Sequence, residues 1–306
     1  MATDDTTPPP AALCFGAVAE AYDRGRPGYP REAAAWLTGD QPLTVLELGA
    51  GTGKLTEHLV ELGHDVHATD PDPRMLDRLA LRLPELRVSQ TSAEEIPAAD
   101  ATYDLVVAAD SVDLFDAEKA LPEIARVLKR GGTFAVIRNV RDERIPWVKR
   151  LGNLIGHHAL GTGIGEAIES SPYFGPAEDA SFKQWQVIDR ASVQDLVRSL
   201  AEVATLDRTS QESRVREVLA FYDDFGRGMD GMQLPWVTEC FRAVVGIQPK
   251  TIRQTPAPQE PEDARASATE EGADDYVGEP TVPVALAPAV EPPADDDSGM
   301  LLIDFR

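Results

Sequence analysis

The sequence predicts an α/β fold, a mostly parallel sheet covered by helices on both faces. Three observations carry that expectation. Apolar, β-branched runs alternate with helix-like stretches over the first 140 residues, the rhythm of successive βα units. The strand-like runs are continuously apolar rather than alternating, as strands buried on both faces are. A glycine-rich segment, residues 46–53, lies between the first such strand and the helix after it.

The elements follow in order. Residues 43–48 form a first strand ending at Gly49, and a helix over 56–62 closes with Gly63 as a C′ residue. Residues 65–69 make a second strand. Over 74–83, Met75, Leu76, Leu79 and Leu83 recur at helical spacing until Pro84 stops them. A short third strand covers 86–89, and a valine-rich fourth, opened by Asp104, covers 103–109. Residues 118–128 are helical, and Gly131-Gly132 turns the chain into a fifth strand over 133–138. Beyond it the pattern predicts a helix over 145–158, a strand over 181–188, helices over 192–201 and 213–224, and a last strand over 234–245. No linker-like stretch separates 140 from 180, so residues 13–250 are expected to form one domain. Residues 1–12 and the Pro-rich, acidic residues 251–306 are expected to be disordered. The apolar end, with Met300, Leu301, Leu302, Ile303 and Phe305, is expected either to fold back or to dock on a protein partner.

Composition narrows the function. The formal charge is −23, with 13 acidic residues against 3 arginines after residue 250. Nothing basic enough to follow a phosphate backbone is present, which argues against nucleic acid as a partner. Two cysteines, Cys14 and Cys240, are too few for a disulfide framework and suit a reducing, cytoplasmic setting. No apolar run reaches the length of about 20 residues that a membrane helix needs. No H-x-x-x-H or Cys/His cluster occurs, so no metal site is expected; His157 and His158 are adjacent and cannot share one helix face.

The glycine segment reads Leu46-Glu47-Leu48-Gly49-Ala50-Gly51-Thr52-Gly53. A loop there faces the carboxyl ends of the strands, where open parallel sheets bind ligands. A dinucleotide fingerprint starting at Gly49 needs glycine where Lys54 stands. A phosphate loop ending at Gly53-Lys54 needs glycine at Leu48 and Ser or Thr at Leu55. The pattern E-x-G-x-G-x-G is met in full by Glu47, Gly49, Gly51 and Gly53. In this respect the chain resembles the class I S-adenosylmethionine-dependent methyltransferases, which implies a Rossmann-like, seven-stranded, mostly parallel sheet and S-adenosyl-L-methionine as cofactor.

Further residues carry the resemblance. Asp70 ends the second strand, followed by Pro71 and Met75; in the family an acidic residue here takes both ribose hydroxyls, and a carboxylate has the two oxygens for it. Ser92, Ala93 and Glu94 match residues that flank the adenine ring, and Ala109 ends the strand where the family places cofactor and substrate contacts. Phe15, Ala19, Tyr22, Arg26-Pro27 and Tyr29-Pro30 look like the entrance segment of a bacterial small-molecule, trans-aconitate-like subgroup, and Asn139, Arg141-Asp142 and Pro146-Trp147 after the fifth strand, with Leu234-Pro235 and Thr238 near the end, are similar to the same subgroup. The resemblance covers residues 13–246. It departs after the fourth strand, where relatives often carry His and Trp and this chain carries Asp113 and Leu114.

For the cofactor's amino-acid end, backbone around Gly49, Ala50 and Gly51 suits the ammonium, and Arg26 with Tyr22 suits the carboxylate. Methyl transfer is a displacement at an activated carbon, so a base is needed only when the acceptor must lose a proton. Asp113 is the candidate base, Asn139 a candidate for orienting substrate, and Trp147, Tyr173 and Trp185 candidate pocket aromatics. The expected function is methyl transfer to a small-molecule acceptor. Two other readings stay open: a catalytically silent cofactor-binding or scaffold protein, and an NAD-dependent oxidoreductase.

Overall fold

Strand β1 (Thr44–Leu48) is buried from Val45 to its end and sits inside a seven-stranded sheet. The description comes from a computed structural model and covers residues 13–156, 168, 170–225 and 231–246. The expectations for residues 1–12, for His157 and His158, and for 251–306 with their apolar end lie outside the described residues. Strands β2 (Asp65–Asp70), β3 (Arg87–Gln90), β4 (Tyr103–Ala109), β5 (Leu128–Arg141), β6 (Glu178–Ile188) and β7 (Met232–Val244) complete the sheet in the order β3-β2-β1-β4-β5-β7-β6. The first five pair in parallel. β7 runs antiparallel between β5 and β6.

Two apolar layers enclose the parallel strands. On one face Val45, Leu105 and Val107 pack with Ala33, Ala34 and Leu37 of α2 (Arg31–Thr38) and with Leu59 of α3 (Thr56–Glu61). On the other, Leu46, Leu48, Val106 and Ala108 pack with Ala120 and Ile124 of α5 (Ala117–Val127). Full burial of each large aliphatic chain contributes about 1.5–3 kcal/mol, which is why these strands read as unbroken apolar runs. A third cluster joins Leu234 and Trp236 of β7 to α6 (Pro146–Ile155), α7 (Ser192–Arg198) and α9 (Arg208–Phe225).

Local chemistry sets the helix ends that frame the site. α4 (Pro73–Arg82) starts at Asp72, whose Oδ1 accepts the Arg74 N–H at 3.0 Å, with Pro73 in the first helical position. α9 begins five residues before the sequence pattern places it, because Asp207 Oδ1 accepts the N–H groups of Thr209 and Ser210 and nucleates the turn. The helix expected over 192–201 is two pieces, α7 and the short α8 (Ala201–Ala204), separated at Leu200, which is extended. β5 is longer than expected, starting at Leu128, with a register shift against β4. Two helices escaped the sequence reading: α1 (Ala19–Gly25) and α2. No helix among the described residues is long and apolar enough to cross a membrane.

Candidate functional site

A cavity of about 610 Å³ opens where the carboxyl ends of β1, β2, β4 and β5 meet the N-terminal segment and α8. The glycine loop forms its floor. Gly49 and Gly51 have φ of 70° and 57°, the left-handed region where a side chain is disfavoured. A Cβ on Gly49 would lie 2.5 Å from the Ser111 Cβ, and one on Gly51 would lie 3.4 Å from the Met75 methyl. Gly53, with φ of 85°, answers a packing need as well: its Cβ would lie 3.1 Å from Leu79 of α4, and it does not line the cavity.

Asp70 links this loop to the end of β2. Its Oδ2 accepts the Gly51 N–H and its Oδ1 the Asp72 N–H, both at 2.9 Å. Each oxygen keeps a lone pair for a ligand hydroxyl. Burial pushes the Asp70 pKa up to about 6, against the lowering effect of those two bonds, so the group is mainly ionised at neutral pH. Pro71, Met75, Ser92, Ala93 and Glu94 line the same end of the cavity. Glu94 is steadied by the Asp116 N–H, which donates to its Oε1 at 2.8 Å.

Tyr22, Arg26, Ala109, Asp110 and Asn139 line the cavity as well. The Arg26 guanidinium lies 5.4 Å from the Tyr22 ring centre and donates to Ser199 through Nε (3.1 Å) and Nη2 (3.2 Å). It therefore ties the end of α7 to the N-terminal segment while lining the cavity. Burial pushes the Tyr22 hydroxyl up to about 12, so it stays protonated. Glu47 and Ala50 do not reach the main cavity but line a smaller one beside it, of about 20 Å³. Burial pushes the Glu47 carboxyl up to about 8.

Asp110 lies in the segment Ala108-Ala109-Asp110-Ser111, where the resemblance implies cofactor and substrate contacts, but the sequence assigns it no role of its own. It stands at φ 49°, one of two non-glycine residues with positive φ among those described. Its carboxylate accepts the Tyr29 hydroxyl at 2.7 Å and the Asn139 N–H at 3.0 Å. Much of its surface faces the cavity, yet that surface is deep within the fold, and desolvation raises its pKa. A strained, hydrogen-bonded carboxylate at a strand end marks a functional position.

The acceptor-side candidates divide. Asp113 lines the mouth on a short 3-10 turn and is exposed. Asn139 lines the cavity, but its amide is engaged: Nδ2 donates to Gly28 O at 3.0 Å, and Oδ1 accepts from Gln184 (2.7 Å) and Thr238 (2.6 Å). Its side chain thus holds the entrance segment to the sheet rather than presenting free polar atoms to a substrate. The three aromatics are corrected. Trp147 packs on the α6–α7–α9 core, Tyr173 packs under β5, and Trp185 stands 60% exposed on the edge strand β6; none lines the cavity. The far wall is instead made by Leu13, Phe15, Phe115, Val140 and Leu200 with Ala201 and Glu202. Leu114 is there too, at the mouth. Among the described residues no group of three or more His, Cys, Asp or Glu is placed to hold a metal ion.

This geometry has known counterparts. Residues 46–136 match the profile of a methyltransferase domain family. The chain is 40% identical over 237 residues to an uncharacterized methyltransferase of Mycobacterium tuberculosis, Rv3342, covering 76% of this chain and 96% of that one. It is 33% identical over 202 residues to an uncharacterized methyltransferase of Schizosaccharomyces pombe, C25B8.09, covering 63% and 79%. Among solved structures, a proposed type II methyltransferase from Anaeromyxobacter dehalogenans superimposes with a TM-score of 0.55 at 23% identity, covering 72% of this chain and 97% of that one.

Proposed function

The chain belongs to the class I S-adenosylmethionine-dependent methyltransferases, and from that premise we propose that its methyl acceptor is a small molecule bound in the same cavity as the cofactor. One observation carries the reading. The cavity runs without a break from the glycine loop and Asp70 to the wall of Phe115, Val140, Leu200 and Ala201, and its volume falls in the range of about 300–1,000 Å³ typical of small-molecule sites.

The residues fit the cofactor. Asp70 takes the ribose hydroxyls on its remaining lone pairs, and Pro71, Met75, Ser92, Ala93 and Glu94 flank the adenine. Gly49 and Gly51 would allow close approach of backbone to the amino-acid end, whose carboxylate Arg26 and Tyr22 would receive, with Ala109 in the same lining; Ala50, expected there too, lines only the smaller cavity. The bound cofactor supplies a methyl group on positive sulfur, already activated for displacement. What remains for the protein is to align acceptor and methyl group, which can lower a barrier by several kcal/mol. The cavity's far wall does this with apolar surface. Asn139 acts by fixing the entrance segment through Gly28. Asp113, an exposed acid of the cavity lining, would receive a proton only from an acceptor that carries one.

The test uses the whole protein, S-adenosylmethionine labelled in its methyl group, and an extract separated into metabolite and macromolecular fractions. Label is expected in the metabolite fraction. Label confined to protein or nucleic acid would overturn the small-molecule reading, and no transfer to either would favour a silent cofactor-binding protein.

A further inference from the structure

The far wall of the main cavity is apolar, with Phe115, Val140, Leu200 and Ala201 among its residues. Two acids of the lining adjoin it in the chain. Asp113 precedes Leu114 and Phe115 on the turn after β4, and Glu202 follows Ala201 in α8. Both are exposed, and among the described residues neither has a hydrogen-bond or ion-pair partner.

The cations of the lining are Arg26 and Arg138, and both are engaged. Arg138 gives Nε and Nη2 to the Glu239 carboxylate at 2.8 and 2.7 Å, across the β5–β7 register. Arg26 donates twice to Ser199 and is read to receive the cofactor's carboxylate. Arg141 is buried, donates to Gly156 O at 2.6 Å and does not line the cavity. The other acids of the lining are Asp70, Glu94 and Asp110. Five carboxylates therefore face two arginines, and the single net positive charge of S-adenosylmethionine leaves the balance negative.

Such a surface selects by charge as well as by shape. A cleft lined mainly by one sign concentrates ligands of the other sign, and an unpaired like charge works against the wrong partner. A carboxylate laid on the apolar wall would meet Asp113 and Glu202 with no unengaged guanidinium in the lining to receive it. A cation there meets two acids that have no other partner.

We propose that the methyl acceptor is an amine on an apolar body, its ammonium drawn to Asp113 and Glu202 and its hydrocarbon part held by Phe115, Val140 and Leu200. The inference rests on the small-molecule reading of the cavity, and it departs from the carboxylate acceptor that the trans-aconitate-like resemblance suggests. In the step the ammonium gives one proton to a carboxylate or to solvent. The freed nitrogen lone pair forms the N–C bond, and the C–S bond breaks with its electron pair left on sulfur. The product is an N-methylammonium.

The test uses the whole protein, S-adenosylmethionine labelled in its methyl group, and a metabolite extract. Once unreacted cofactor has been removed by chromatography, the labelled product is expected to stay on a cation exchanger at neutral pH and to keep its label in warm alkali. Label released by alkali as methanol would identify a methyl ester, and alkali-stable label that passes the exchanger would identify an ether. Either result overturns the amine assignment and leaves the small-molecule reading standing. Absence of any labelled metabolite would overturn that reading, and the amine with it. With the retained fraction as acceptor, Asp113→Asn combined with Glu202→Gln is expected to raise the amount needed for half-maximal rate about fivefold, the effect of losing two exposed ion pairs. An unchanged requirement would overturn the part given to the two acids.

Discussion

The Tyr29 hydroxyl donates to Asp110 Oδ2 at 2.7 Å, joining the entrance segment to the end of β4. The bond holds Asp110 in left-handed backbone, while the Asn139 N–H holds the other carboxylate oxygen at 3.0 Å. An aspartate tolerates that backbone better than most side chains, and its two oxygens serve two elements at once.

Asp110→Ala therefore loses on two counts. It leaves the buried Tyr29 hydroxyl without an acceptor and puts a plain Cβ in the left-handed region. The expected destabilisation in urea melts is about 2 kcal/mol or more, with a smaller loss for Asp110→Asn. Equal stability of Asp110→Ala and wild type would contradict the role given to the pair.

Gly49→Ala places a Cβ 2.5 Å from that of Ser111 at a backbone angle unfavourable to alanine. Loss of cofactor binding and of melting temperature is expected. Adding Ser111→Gly removes the clashing atom and should recover part of the stability, although the Ser111 hydroxyl bond to Leu48 O is lost with it. A double variant no better than the single one would show that Ser111 is not the obstacle.

Asn139→Ala removes the group that binds Gly28 O, Gln184 and Thr238 together. Thr238 is fully buried, so its hydroxyl loses its acceptor, and a loss of about 1–3 kcal/mol is expected. If Asn139 positions the entrance segment, turnover should fall together with cofactor affinity. A variant of normal stability and cofactor affinity with lost turnover would point to direct contact with the acceptor.

Glu47 gives stability a pH signature. Its folded-state pKa of about 8 lies above the ordinary carboxyl value of 4.5, so the folded protein holds a proton that the unfolded chain gives up. Stability from this group is fully present below about pH 4.5, falls as pH rises by about 1.4 kcal/mol per pH unit, and is lost once pH passes 8. Glu47→Gln should gain stability relative to wild type between pH 5 and 8 and keep a constant lead above. A difference independent of pH would show that the carboxyl ionises normally in the fold.

How much of this was readable beforehand follows from where each feature's cause lies. β1 and the glycine loop were legible because strand burial and left-handed turns constrain the local sequence, and Asp70 because it closes a strand at a fixed distance from that loop. Asp110 was not, since nothing local to Ala109-Asp110-Ser111 announces positive φ; the cause is Tyr29, 81 residues away. Asn139 could be picked as a polar residue at a strand end, but the partners that define its role come from Gly28, Gln184 and Thr238. α2 was missed because its alanines, Ala33 and Ala34, bury fully against the sheet without the bulk that makes a helical stripe visible. Trp185 looked like a pocket residue by type alone, whereas the sheet order puts it on the edge strand.

The central claim is that the cavity over the glycine loop binds S-adenosylmethionine with Asp70 as the anchor, and calorimetry on the wild type and Asp70→Ala addresses it directly. The wild type should bind S-adenosylmethionine and not NAD. The folded variant should bind more weakly by about 1.5–3 kcal/mol, the value of a charged hydrogen bond. Binding of NAD alone, or unchanged affinity in a folded Asp70→Ala protein, would contradict it.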